Sequence, residues 1–390
     1  SILTGKHPHT HGLNRNVYPH SEWAGHPNVF ADAIANPFDD SRFDLWDNFP
    51  FLLHNAGYRT AHIGKWHLGM GNPGFFDRWM SFNSGLPHWI GAPHESAYRP
   101  DVHTDIGIEF IEENAGRPFF LYQSYYAPHE PLDPPKRFLQ LYEDSGIEPA
   151  AYYAAVSNLD WNIGRLLAAL EQQDLLDRTL ITLTADHGRC WESVRPGTGS
   201  GGQLSIPYDE VARVPLIMRY PALLPEGVTW QSGVSLVDLM PTILDIVGVH
   251  GRASKSPRLQ SFDGSVDPAQ RSLLPDLSSG QDVWRRPIVM QNIAMTALDG
   301  SLFEDRALRT EKWKLILRKF AVGMHPPQLL CELYDMQADP GETRSLSDSA
   351  DHSATIACLA DQLRVWGKEQ QDPLAVELAA DCLQRMENAT

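Results

Sequence analysis

Two apolar periods alternate along the first two-thirds of the chain, one helical and one made of short continuous runs. Phe43 to Ala56 places Leu45, Phe49, Leu52 and Leu53 at helical spacing, with Gly57 as the stop. Tyr58 to Ile63 then predicts a short strand running into Gly64-Lys65. Asp105 to Asn114 predicts a second amphipathic helix, with Ile106, Phe110 and Ile111 on one face and Gly116 after it. Strand Pro118 to Tyr122 follows and ends in the polar loop Ala127-Pro128-His129-Glu130-Pro131. The longest helix is predicted over Ala150 to Gln172, where Val156, Leu159, Ile163, Leu166, Leu167 and Leu170 form a stripe. Thr179 to Thr184 reads as a buried-type strand that ends at Asp186-His187-Gly188, and Val214 to Met218 as another, before a helix over Val234 to Val247.

Alternation of this kind predicts an α/β fold, a mostly parallel sheet sandwiched by helices. Such sheets bind ligands beyond the carboxyl ends of their strands. Three predicted strand ends deliver Lys65 and His67, His129, and Asp186 and His187. Between Gly251 and Asp282 the composition shifts to Ser, Pro, Gly and charge, which reads as a long connection. Beyond it come short strands at Arg286 to Met290, Ala307 to Thr310, Trp313 to Leu317 and Glu332 to Asp335, then a helix near Thr355 to Lys368. The expected division is therefore a catalytic domain over residues 1–280 and a smaller α+β subdomain with an antiparallel sheet over 281–390.

Composition narrows the possible functions. The chain has 390 residues, 42% of them hydrophobic, enough for a sizeable core, and no apolar run long enough to span a membrane. Its formal net charge of −17 gives no general attraction to nucleic acid or an anionic membrane surface. An anionic substrate would need a local cluster of cations working against that field. Four cysteines without a CxxC pair do not form a disulfide framework. No GxSxG elbow, P-loop or GxGxxG after a strand is present, so hydrolase-elbow, kinase-like and dinucleotide readings have no support.

The candidate chemistry sits at the strand ends. Lys65 offers a compact charge with three donors to an anionic oxygen, and His67 can donate to the same group or to a leaving oxygen. Asp186 and His187 supply an oxygen and a nitrogen to a divalent cation, beside a glycine that permits close backbone approach. His129 stands between prolines, a rigid setting for an imidazole that donates a proton or holds an anion. His7, His9 and His11 have no acidic or thiol neighbour and are expected to line a surface or cleft rather than bind metal.

These residues fall into a pattern that resembles the type I, formylglycine-dependent sulfatases of the alkaline phosphatase superfamily. Gly57-Tyr58-x-Thr60-x-x-Ile63-Gly64-Lys65-Trp66-His67 is similar to the second signature of that family at every specified position. Ser1-Ile2-Leu3-Thr4-Gly5 resembles the tail of the first signature, Cys/Ser-x-Pro-Ser-Arg-x-x-Leu-Leu-Thr-Gly. Further segments that look like the family's are Pro118 to His129, Asn158 to Gly188, Tyr208 to Ile217 and Leu333 to Glu342.

The resemblance implies a sulfuric ester hydrolase acting on a small-molecule or carbohydrate sulfate ester, with a divalent cation as cofactor. Calcium is usual in the family, with magnesium or manganese as alternatives. Lys65, His67 and His129 match catalytic positions that hold the sulfate and the leaving oxygen. Asp186 and His187 match metal ligands, His187 standing where many members have Asn. Ser84 resembles a substrate-contacting serine. The nucleophile motif is expected a few residues ahead of Ser1, so no nucleophile is assigned in this chain, and the chain by itself is expected to bind metal weakly and turn over no substrate. Gln203 to Ile206 occupies a stretch where many members carry a further Lys. A phosphonate monoester or phosphodiester hydrolase of the same superfamily, or a non-catalytic binder of sulfated ligands, are the alternatives. Secretion or periplasmic export is typical of the family; oligomeric state has no sequence signal.

Overall fold

In the computed structural model, residues 1–12, 48–68, 72–82, 97–188, 207–249, 272–280, 282–284, 286–296, 302–322 and 329–389 are described. Ten α-helices are numbered here along the chain among them. They are α1 (Pro8–His11), α2 (Phe49–Asn55), α3 (Arg99–Glu113), α4 (Lys136–Leu139), α5 (Ala150–Gln172), α6 (Asp209–Ala212), α7 (Leu239–Ile246), α8 (Leu274–Ser279), α9 (Ser353–Glu369) and α10 (Pro373–Ala389). The strands are β1 (Arg59–Lys65), β2 (Arg78–Phe82), β3 (Phe119–Ser124), β4 (Ile181–Thr184), β5 (Leu216–Arg219), β6 (Ile288–Thr296), β7 (Leu302–Arg309), β8 (Trp313–Val322) and β9 (Leu329–Asp335).

The chain folds as two compact units, each discontinuous in sequence. Asn16–Thr179 and Val247–Val266 form one; Ser1–Arg15, Leu180–Ile246 and Asp267–Thr390 form the other. A linear cut at residue 280 follows the change in composition, whereas these units follow the packing. Tyr208 illustrates why: it is buried in a cluster with Ala307, Ile316, Tyr334 and Met336 of the last hundred residues.

In the first unit β1 lies between β2 and β3, parallel to both, as the alternation of elements predicts. Every residue from Thr60 to Gly64 is buried, the pattern of a central strand covered on both faces. Helix α2 begins at Asn48, whose side chain accepts from Phe51 N at 2.9 Å. It gives way to β1 through Gly57 at φ 92°, a left-handed turn that suits glycine. Helix α5 spans the predicted residues. It is tied to α3 by Asp101, whose Oδ1 accepts from Asn158 and Asn162, both at 2.8 Å.

The second unit holds an antiparallel sheet in the order β6-β7-β8-β9. Leu308, Leu315, Leu317 and Leu333 from one face pack with Ile356, Leu359 and Leu363 of α9 and Leu378 of α10. Helix α10 lies beyond the helix predicted near the end of the chain. Its sequence opens on Pro373, a good helix start. On the other face of β8, Lys314 and Arg318 are both buried. Arg318 pairs with Asp305 at 2.7 Å, so each charge is compensated where it is desolvated.

Strands β4 and β5 pair with each other, antiparallel, and both are only half-buried for most of their length. The sequence pattern predicts β4 as a buried strand of a parallel sheet; apolar periodicity does not encode strand direction. Among the described residues no helix is long and apolar enough to cross a membrane.

Candidate active site

Lys65 ends β1, and its position is set by its neighbours. Trp66 is buried against His62, Phe76 and Trp79, with ring centroids 4.8, 5.7 and 5.4 Å away. This wedge anchors the strand end between Lys65 and His67, which are both half-buried. His67 adopts φ 57°, a left-handed conformation costing a non-glycine residue roughly 1–2 kcal/mol. Strain of that size persists only where surrounding contacts impose it. Gly64, at φ 111°, approaches the carboxyl end of β3, and the motif's second glycine is explained by that contact.

His62, within the same motif, is a core residue. Its Nδ1 is 2.5 Å from Ser81 Oγ, and burial, reinforced by His103, lowers its pKa to about 3. The imidazole is therefore neutral at physiological pH.

The loop after β3 brings His129 to the same end of the sheet. Tyr126 is the hub: its ring stacks on His129 at 4.5 Å, and Lys65 Nζ lies 5.3 Å from its centroid. Arg99 Cζ lies 5.4 Å from the same centroid. Two cations and one imidazole thus meet one aromatic ring, which gives the local positive focus that an acidic chain needs for an anion. His129 Nδ1 donates to Glu130 O at 2.9 Å, and Glu130 Oε2 is 3.7 Å from that nitrogen. The tautomer with hydrogen on Nδ1 leaves Nε2 as the working atom.

Arg99 is the residue that sequence reading missed. It is 3% exposed, and burial lowers its guanidinium to about 10, still protonated at neutral pH. A signal did exist. Arg99 opens α3, where the helix dipole disfavours a cation, so an arginine there calls for another explanation.

Asp186 and His187 follow β4 in the second unit. Their side chains are 70% and 62% exposed, and Asp186 Oδ2 lies 3.6 Å from His187 Nε2. Local backbone groups orient both. Asp186 Oδ1 accepts from His187 N at 3.0 Å, and His187 Nδ1 donates to Gly188 O at 2.8 Å. A backbone carbonyl on Nδ1 is the usual device that fixes a ligating histidine with its Nε2 lone pair outward. One carboxylate oxygen and one imidazole nitrogen remain side by side, a donor set that fits a divalent cation. Among the described residues no group of three or more His, Cys, Asp or Glu side chains is disposed around a metal ion.

Other expected residues fall elsewhere. Ser84 and the Gln203 to Ile206 stretch lie outside the described residues. The histidines near the start make contacts within the second unit. His9 Nε2 donates to Gln370 O at 2.8 Å, His11 is buried, and His7 packs edge-on to Trp366 at 5.1 Å.

Comparison with known proteins finds relatives along most of the chain. A family model described as Sulfatase matches residues 1–249, and one described as N-sulphoglucosamine sulphohydrolase, C-terminal, matches residues 205–369. An N-acetylglucosamine-6-O-sulfatase of Bacteroides thetaiotaomicron is 26% identical across 95% of this chain and 77% of its own length. An arylsulfatase of Clostridium perfringens is 28% identical over 41% of each chain. An N-acetylgalactosamine-6-sulfatase of Canis lupus familiaris is 28% identical over 74% of this chain. The chain spans only 41% and 57% of the lengths of these last two.

Among solved structures, a putative sulfatase, yidJ, from Bacteroides fragilis superposes with a TM-score of 0.71 at 22% identity, covering 97% of this chain and 86% of its own. A structure holding its substrate D-glucosamine-2-N,6-O-disulfate superposes with a TM-score of 0.70 at 23% identity, covering 95% of this chain and 87% of its own. The fold is thus alkaline phosphatase-like. With the family model covering well over half its length, the chain belongs to the sulfatase family of that superfamily.

Proposed function

We propose that this protein is a sulfuric ester hydrolase that releases inorganic sulfate from a sulfated sugar. The observation that carries this reading is the meeting of Lys65, Arg99 and His129 on the Tyr126 ring. Sulfate transfer concentrates negative charge on the sulfate and leaving oxygens, and preorganised cations and donors are what stabilise it.

Each side chain then has a role. Lys65 holds a sulfate oxygen. His67 donates to the sulfate or to the bridging oxygen, from a backbone conformation that fixes its direction. His129, when doubly protonated, delivers a proton from Nε2 to the leaving sugar oxygen. Asp186 and His187 would hold the divalent cation, calcium in this reading, which supplies Lewis-acid stabilisation of sulfate charge. The nucleophile is a formylglycine made from the Cys or Ser of the first signature, whose tail Ser1 to Gly5 resembles. The amino-sugar sulfates named for two relatives and one solved complex support a glycan substrate.

The test is sulfate release by the full-length protein from N-acetylglucosamine 6-sulfate, N-acetylgalactosamine 6-sulfate and an aryl sulfate, beside an aryl phosphonate. Sulfate esters are expected to have the higher kcat/KM. A preference for the phosphonate, or tight binding of sulfated sugars without turnover, overturns the reading.

A further inference from the structure

Lys314 lies on β8 and is fully buried. Its ammonium donates to Pro207 O at 2.9 Å, and pairs with Asp209 and, at 2.7 Å, with Glu342 Oε1. The other Glu342 oxygen accepts from Asp209 N at 2.7 Å. Tyr208, between them, donates its hydroxyl to Glu332 at 2.5 Å. Residues 207–209 are thus gripped by carbonyl, side chain and N–H alike, all from the antiparallel sheet and the turn that follows it.

The gripped residues open α6, and α6 meets the Asp186–Gly188 turn. Gly188 N donates to Val211 O at 2.7 Å. A Cβ on Gly188 would lie 2.5 Å from Glu210 O and 3.2 Å from Val211 Cα, so the turn is seated directly on α6. Gly188 O in turn receives His187 Nδ1. A continuous path of buried charge and short backbone contacts therefore runs from Lys314 through Asp209, Val211 and Gly188 to His187. The unit contains every step of it.

We propose that Lys314 is a positioning residue for Asp186 and His187, setting the geometry of the cation-binding turn from the sheet through α6. This rests on the assignment of Asp186 and His187 as metal ligands. Neither side chain is held by burial, since both are exposed, so the precision a cation needs comes from the backbone of the turn. Partners that orient ligands typically alter metal affinity by about 10–100-fold when removed.

The experiment uses the full-length protein with two variants. Lys314→Met/Glu342→Gln removes the buried charge as a pair, because deleting one partner alone strands the other. Asp209→Asn weakens the grip at a partly exposed position, in case the double variant does not fold. Amide hydrogen exchange at Gly188 and calcium affinity by calorimetry are read in each, together with exchange across β1 and β3. The expected result is faster exchange at Gly188 and calcium affinity lower by about 10-fold or more, with β1 and β3 unchanged. Unchanged protection at Gly188 in a folded variant overturns the proposal. Failure of the metal assignment has a different signature: Asp186→Asn in the parent protein leaves calcium affinity as it was. Gly188 exchange still decides, in that case, whether Lys314 orders the turn.

Discussion

Gly64 and Ser124 touch where β1 and β3 end: a Cβ on Gly64 would lie 1.8 Å from the Ser124 carbonyl oxygen. No side chain of the twenty except hydrogen fits that gap, and φ of 111° adds a second objection. The contact keeps Lys65 and the chain leaving Ser124 towards Tyr126 and His129 at one edge of the sheet. Gly64→Ala is expected to lower unfolding free energy by about 3 kcal/mol or more, from overpacking plus a disfavoured backbone. Chemical denaturation measures it, and a loss below about 1 kcal/mol would contradict the close approach.

Lys65 should act as a charge rather than as packing. Lys65→Met, of similar length, is expected to reduce kcat/KM for a sulfate ester by about 100-fold or more while leaving the unfolding midpoint nearly unchanged. Lys65→Arg should recover part of the loss, because it restores the charge with a different donor geometry. A Met variant within about threefold of the parent removes Lys65 from the chemistry.

The exposed Asp186–His187 pair separates binding from folding. Asp186→Asn is expected to abolish turnover and weaken calcium binding, while the stability of the metal-free protein changes by no more than about 0.5 kcal/mol. Removing calcium with a chelator should likewise stop turnover, and re-addition should restore it. A mild kinetic effect of the substitution places the cation elsewhere.

His62 predicts an acid-side loss of stability. Its pKa falls from 6.5 to about 3 on folding, because burial disfavours the imidazolium. Below about pH 6.5 the unfolded chain binds a proton that the folded chain refuses, so stability declines as pH drops towards 3. This one group contributes at most about 1.4 kcal/mol per pH unit to that slope. His62→Gln can keep a hydrogen bond to Ser81 without titrating, and its unfolding free energy should fall less steeply over the same range. Equal slopes for the two proteins would mean that His62 charges in the folded state.

Much of the first unit was legible because local rules and tertiary packing agree there. Ala150 to Gln172 carries a complete apolar stripe, and Gly57 and Gly64 mark backbone conformations only glycine adopts readily. Lys65 and His67 could be found for the same reason: a strand bounded by glycines points its end residues somewhere definite. Arg99 was harder to find, since it lies ahead of the helix predicted from Asp105, and its partner Tyr126 is far away in sequence. Lys314 and Arg318 alternate with apolar residues along β8, and periodicity reports that alternation but not what covers each face.

By itself, then, the sequence determined the helices and strands with strong local patterns, which glycines are obligatory and which donors the chemistry requires; these depend on backbone sterics and on residue identity within a few positions. Only the tertiary structure decided that β4 pairs antiparallel with β5, that Tyr126 gathers Lys65, Arg99 and His129, and that Lys314 is buried against Asp209 and Glu342. Those are contacts between residues remote in sequence, and their energies come from desolvation and charge pairing that exist only once the chain has closed on itself.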